Sequence, residues 1–232
     1  MRHHFPVPDT WLIPVDAKKF HHQDPASFAR QLRKELEKHI RKEQLYAVRS
    51  SGEIEDRTDY SFAGQFATFL DVRGTEAIMD AVLKVWDSAL PVYEGTYMKQ
   101  TGQSDQPGGM GVILQEMIHA EWSGVAFSIN PVTGRNETII EGIRGKGDKL
   151  VQEGFTPQRW IHHQGTWEPY KEEEAPPREL LQSLVTDLSK LRKIFGGDVD
   201  VEWAWDGIQL WYLQCRRVST RKFPTIYSNH IS

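Results

Sequence analysis

The sequence predicts an α+β (α/β) chain of mainly antiparallel sheets with flanking helices. Three observations predict it. Apolar residues recur every four positions behind a helix-start signal, as at Phe28, Leu32, Leu36 and Ile40. Apolar and polar residues alternate in Val199-Asp200-Val201-Glu202-Trp203, the pattern of a half-buried strand. In the second half, strand-like runs follow one another across short turns such as Asp206-Gly207, which favours antiparallel pairs.

Each element has its own signal. Residues 5–13 form a proline-punctuated extended entry. Asp24 is an N-cap followed by Pro25 at N1, opening a helix to about Lys42. Residues 45–48 form a short strand that the polar run after Arg49 does not continue, and Phe66, Thr68 and Leu70 suggest a second. The stretch 75–90 is an amphipathic helix with Ile78, Val82, Val85 and Ala89 inward, and a weaker helix covers 92–99. The Gly-, Ser- and Pro-rich stretch 102–109 reads as a loop and the best internal boundary. The chain accordingly divides into 1–106, 107–220 and a tail, 221–232. Strands follow at 111–118, 123–128 and 137–141, with a turn at Asn130-Pro131-Val132-Thr133-Gly134. A small hairpin spans 158–162 and 165–168. Arg178–Phe195 is a helix with Leu181, Leu184, Leu188 and Leu191 inward, ended by Gly196-Gly197. Two final strands, 199–205 and 209–213, flank Asp206-Gly207.

Composition narrows the function classes. The 232 residues suit one large domain or two subdomains. With 39% hydrophobic and 26% charged residues the chain reads as an ordinary soluble one. A net charge of −4 gives no support to nucleic-acid binding. The single cysteine, Cys215, excludes an intrachain disulfide and fits a reducing compartment. No apolar run approaches the roughly 18 residues of a membrane span. The first residues lack the apolar core of a signal peptide, so the expected location is cytoplasmic, with no membrane partner.

Two constellations carry chemistry. In the first, a strand delivers Arg49, Ser50 and Ser51 to one point, followed by Glu53, Glu55, Asp56, Asp59 and the turn Ser61-Phe62-Ala63-Gly64-Gln65. A forked guanidinium with short donors suits a phosphate. The same spacing also fits a surface arginine before a solvated acidic loop. In the second, Asp200 and Glu202 share one face of a strand, with Gln214 and Arg216 alternating likewise on the next. Mg²⁺ takes hard oxygen ligands, one or two carboxylates plus phosphates, so this face suits a Mg-nucleotide clamp with Arg216 on the terminal phosphate. On pattern alone it reads equally as a cross-strand charge pair. The run Gly145-Lys146-Gly147-Asp148-Lys149 is a weak phosphate motif. The pairs His3-His4, His21-His22 and His162-His163 make no natural chelate, and Cys215 has no histidine to activate it.

These residues resemble a known family. Val48-Arg49-Ser50-Ser51, Glu55-Asp56, Ser61-Phe62-Ala63-Gly64-Gln65 and Thr68-Phe69-Leu70 are similar to the signature of the ATP-binding domain of phosphoenolpyruvate synthases and pyruvate phosphate dikinases. The likeness continues through Ser123-Gly124-Val125-Ala126-Phe127 and ends at Asp200-Val201-Glu202-Trp203 and Leu213-Gln214-Cys215-Arg216. It implies an ATP-grasp fold whose two subdomains hold Mg-ATP. Arg49 would contact the phosphates. Gln115, Glu116, Met117 and Ile118 would form the hinge beside adenine. Glu202 and Gln214 would hold Mg²⁺ with Asp200 in support, and Arg216 would bind the transferring phosphate. The implied reaction phosphorylates a histidine on a separate swivelling domain, which then serves an acceptor-binding domain.

Neither partner domain has a counterpart here, so the chain reads as the kinase part of a longer phosphotransferase, inactive alone. The family's entry carries a Gly-Gly-Lys segment, whose lysine has no counterpart among Met1 to Phe5. The alternative reading is therefore a non-catalytic nucleotide-binding or regulatory module.

Overall fold

The computed structural model describes residues 5–52, 67–88, 110–145, 157–171 and 174–218. The architecture is α+β, with two antiparallel-rich sheets of order β1-β4-β2-β3 and β10-β9-β5-β6-β7-β8 and helices beside them. The chain divides into two compact units. One comprises Met1–Ser123, Arg144–Lys146 and Trp203–Leu213; the other comprises Gly124–Ile143, Gly147–Glu202 and Gln214–Ser232. Among the described residues, no helix is long and apolar enough to cross a membrane.

In the first unit the elements are β1 (Thr10–Ile13), α1 (Asp16–Gln23), α2 (Pro25–His39), β2 (Tyr46–Gly52), β3 (Thr68–Val72), α3 (Thr75–Ser88) and β4 (Met110–Glu116). Asp24 caps α2 as expected, its carboxylate accepting from the Ser27 N–H at 3.0 Å. The four-residue stripe then buries Phe28, Leu32 and Leu36 against Ile78, Val82, Val85 and Trp86 of α3. Val48, Val112 and Leu114 complete this core from the sheet.

Two local expectations need correction here, and one helix was unannounced. The strand expected at 45–48 runs on through Arg49, Ser50 and Ser51 to Gly52, because β4 continues the ladder, pairing Ser50 with Val112 and Gly52 with Met110. Arg49 is therefore a mid-strand residue, not a strand end. Helix α2 stops at His39, three residues early, because Ile40 turns extended (φ −86, ψ 146). The polar helix α1 buries none of its residues, so no apolar period announced it. Glu53, Ile54, Glu55, Asp56, Asp59, Ser61-Phe62-Ala63-Gly64-Gln65, Phe66, Ala89, the stretches 92–99 and 102–109, Lys146-Gly147-Asp148-Lys149 and the tail 221–232 lie outside the described residues.

The remaining elements are β5 (Trp122–Phe127), β6 (Thr138–Arg144), β7 (Gln158–His163), β8 (Thr166–Trp167), α4 (Arg178–Phe195), β9 (Val199–Trp205) and β10 (Leu210–Arg217). Asn130 forms its turn as expected, Oδ1 accepting from the N–H groups of Val132 and Thr133. Helix α4 has the predicted limits. Its leucines are buried, and Gly196 ends it in the left-handed region at φ 66, ψ 30. Within the second unit, Gly124 of β5 lies hard against β6. A Cβ there would overlap the Glu141 carbonyl and stand 2.7 Å from Gly142 Cα, both rigid backbone. Gly124→Ala should accordingly cost about 3 kcal/mol or more through overpacking, read as a lowered denaturation midpoint. An unchanged midpoint would show that β5 and β6 do not approach so closely.

Candidate functional site

Register sets the first cluster. Ala47 pairs with Gln115 and Arg49 with Ile113, while β1 brings Thr10 beside Gln115. Side chains alternate across a strand, so Thr10, Ala47, Gln115 and Arg49 share the sheet face opposite Val48 and Leu114. On that face the Leu213 carbonyl accepts from Arg49 Nη2 at 3.0 Å and from Gln115 Nε2 at 3.4 Å. Gln115 Nε2 also donates to Thr10 Oγ1 at 3.1 Å. Two residues far apart in the chain, Arg49 and Gln115, thus converge on the carbonyl that precedes Gln214.

The segment after β4 is tied from two sides. The Glu116 N–H donates to the Asp9 carbonyl at 2.9 Å and the Met117 N–H to the Leu45 carbonyl at 2.8 Å. Gln44 Nε2 donates to the Met117 carbonyl at 2.9 Å and to the Leu45 carbonyl at 3.1 Å. The buried Glu116 carboxylate pairs with the Arg41 guanidinium, which raises the arginine's pKa further. The Arg41 N–H in turn donates to Tyr46 Oη at 2.8 Å. Ile118 follows, half-buried. Sequence reasoning missed Arg41 and Gln44 because they fell in or beside a presumed helix end.

The second cluster lies on β9 and β10. Val199, Val201 and Trp203 are buried, while Asp200 and Glu202 between them are only partly so, as alternation requires. Arg216 Nη2 stands 3.2 Å from Asp200 Oδ2 and 3.9 Å from Glu202 Oε1. Burial holds the Asp200 carboxyl above the usual aspartate range; Arg216 opposes that shift and Glu202 adds to it. Among the described residues, Asp200 Oδ1 is buried with no hydrogen-bond partner. Gln214, half-buried, alternates with Arg216 along β10. Cys215 between them is pushed up to about 11, chiefly by burial and then by Asp200, so its thiol stays protonated at neutral pH.

The donor chemistry suits Mg²⁺: hard carboxylate oxygens, one of them lacking a partner, with an amide carbonyl nearby. Among the described residues, no group of three or more His, Cys, Asp and Glu could hold a metal. A cation here would therefore lean on the oxygens of a bound anion. Elsewhere, His21 packs on Phe28 (5.1 Å between centroids) and His162 on Trp167 (4.9 Å). The Gly145 N–H donates to Glu121 and its carbonyl accepts from Ser123 Oγ, so its polar backbone is spent within the fold.

Residues 20–179 match the family model described as pyruvate phosphate dikinase, AMP/ATP-binding domain. A probable phosphoenolpyruvate synthase from Pyrococcus horikoshii is 31% identical over 84% of this chain, which spans 28% of that relative. The prodigiosin synthesizing transferase PigC of Serratia marcescens is 30% identical over 79% of this chain, which spans 24% of it. The chain thus covers less than a third of either relative. A D-alanine–D-alanine ligase structure from Helicobacter pylori aligns at 10% identity over 92% of this chain and 46% of the ligase, with a TM-score of 0.44, a likeness too slight to bear on function. On the family model, matched across more than half its length, the chain belongs to the pyruvate phosphate dikinase AMP/ATP-binding domain family.

Proposed function

We propose that this chain binds Mg-ATP and donates a phosphoryl group to a histidine on a separate swivelling domain, as part of a phosphoenolpyruvate synthase-like phosphotransferase. The observation that carries the reading is the Asp200–Glu202–Arg216 cluster, with the raised Asp200 pKa and an Asp200 oxygen that is buried without a partner among the described residues. Such groups are costly in a fold and gather where ligands bind. In this reading Glu202 and Gln214 hold Mg²⁺, supported by Asp200. The ion supplies charge neutralisation for the phosphates. Arg216 binds the transferring phosphoryl group and Arg49 the remaining phosphates, while residues 115–118 border adenine. Phosphoryl transfer asks mainly for positioning and charge stabilisation, which guanidinium groups of fixed charge provide. The acceptor beyond the histidine belongs to domains outside this chain. The relatives' names point to more than one acceptor, one a phosphoenolpyruvate synthase and one a prodigiosin synthesizing transferase.

Calorimetric titration with Mg-ATP tests the site. Wild type should bind, and Arg216→Ala should bind about 10- to 100-fold more weakly, the loss of a charge-assisted bond. Glu202→Ala should lose its dependence on Mg²⁺. Equal heats in all three proteins refute the assignment. Transfer of label from ATP to an added histidine domain of a relative should follow binding. Binding without transfer would favour the non-catalytic module.

The raised Asp200 pKa gives a second test. A carboxyl whose folded pKa exceeds its unfolded value stabilises fully only below the latter, and that contribution disappears as pH rises through the folded value. At pH 7 without metal, Asp200→Asn should therefore melt above wild type, and the gain should vanish below about pH 4, where the acid is protonated in both states. Adding Mg-ATP should reverse the order, since only the carboxylate supports the cation. A variant that melts lower at neutral pH without metal would show Arg216 outweighing burial.

A further inference from the structure

The segment after β4 is held more tightly than its exposure demands. A backbone carbonyl near the surface finds water as a partner, yet Met117 has an amide side chain bound to it. We propose that Gln44, supported by Arg41, is a positioning residue for purine selection: it aims the Met117 carbonyl at the 6-amino group of adenine. The inference rests on reading residues 115–118 as the strip beside adenine.

The argument is geometric. The Met117 N–H is bonded to Leu45 and the Met117 carbonyl to Gln44, so the peptide planes on both sides of its Cα are fixed. The Gln44 amide nitrogen is itself anchored, because it also donates to the Leu45 carbonyl at 3.1 Å. Both its N–H groups are then spent on backbone acceptors, which locks the side chain in one orientation. Arg41 fixes the preceding residue through the Glu116 carboxylate and is held by Tyr46 Oη. The two stretches 41–46 and 116–117 thereby form one hydrogen-bonded body.

A carbonyl oxygen accepts two hydrogen bonds, so a donor from Gln44 orients it for a second donor. Adenine presents an amino donor at position 6. Hypoxanthine and guanine present a carbonyl there, which an aimed backbone carbonyl repels. Holding that oxygen still converts a weak preference into a selection, since a site built to accept a hydrogen bond rejects an analogue that lacks the donor. The Glu116 carboxylate, committed to Arg41, serves geometry in this scheme and makes no contact with the base.

The test compares Mg-ATP with Mg-ITP by calorimetry in wild type, Gln44→Ala and Gln44→Glu, with melting curves alongside. Wild type should prefer ATP. Gln44→Ala should reduce the ATP-to-ITP preference by about tenfold, the worth of one well-placed hydrogen bond, with ITP affinity nearly constant. Gln44→Glu, of the same shape but unable to donate, should reduce it at least as far. A merely structural role would lower the melting temperature or weaken both nucleotides alike, leaving the ratio in place; that result overturns the inference while the proposed function stands. Wild type binding neither nucleotide overturns the proposed function and this inference with it.

Discussion

Burying the polar end of β4 is the constraint from which the first unit's arrangement follows. The strand begins apolar, at Met110, Val112 and Leu114, and ends on Gln115 and Glu116, all of them buried. A buried polar group left without a partner costs about 1–3 kcal/mol, so each must be met. Thr10 and the Leu213 carbonyl meet Gln115, which requires β1 to lie antiparallel beside β4. Arg41 meets Glu116, which requires α2 to stop at His39 so that the chain turns back. A helix carried on through Lys42 would hold Arg41 on a helical path, away from the extended turn that Ile40 begins. The early helix end is thus a consequence of satisfying one carboxylate.

Strands β9 and β10 follow the opposite course. Val199, Val201 and Trp203 make an apolar floor, and on the other face two carboxylates share one guanidinium. Arg216 sits closer to Asp200 than to Glu202, yet burial still outweighs it and raises the Asp200 pKa. Replacing such a trio by apolar side chains would often stabilise a fold. Its presence at partly buried positions, with the Asp200 carboxyl pushed upward by burial, is what the proposed function accounts for through a cation arriving with phosphate.

Much of this was legible in the sequence, and the reasons for the rest are physical. Helix α4 could be bounded because its signals are local: leucines on one stripe and a glycine free to turn left-handed at Gly196. The shared face of Asp200 and Glu202 followed from strand alternation alone. The extension of β2 was hidden because nothing near Ser50 announces that Val112 pairs with it from across a long separation. Ile40 misled in a specific way. It continues the apolar stripe of α2 and still packs against the core, but as extended chain, so the period outlasted the helix. Gln44 and Arg41 left no signal, since their partners, Met117 and Glu116, are set by tertiary register.

The two clusters differ in what a ligand would change. Around Met117 the N–H and the carbonyl are both tied to residues 44 and 45, so the fold itself holds that geometry. Under the proposed function, a base bound there would meet a carbonyl already oriented, which lowers the cost of ordering on binding. Around Asp200 burial already raises the carboxyl's pKa, so any cation or phosphate that binds alters the protonation equilibrium of the site itself. Under the proposed function, base selection is therefore fixed by the fold, whereas phosphate binding is conditional on the cation. Without Mg²⁺ the phosphates would face the Asp200 and Glu202 carboxylates directly, and repulsion between like charges, not the base contacts, would keep the metal-free nucleotide from being held in a reactive state.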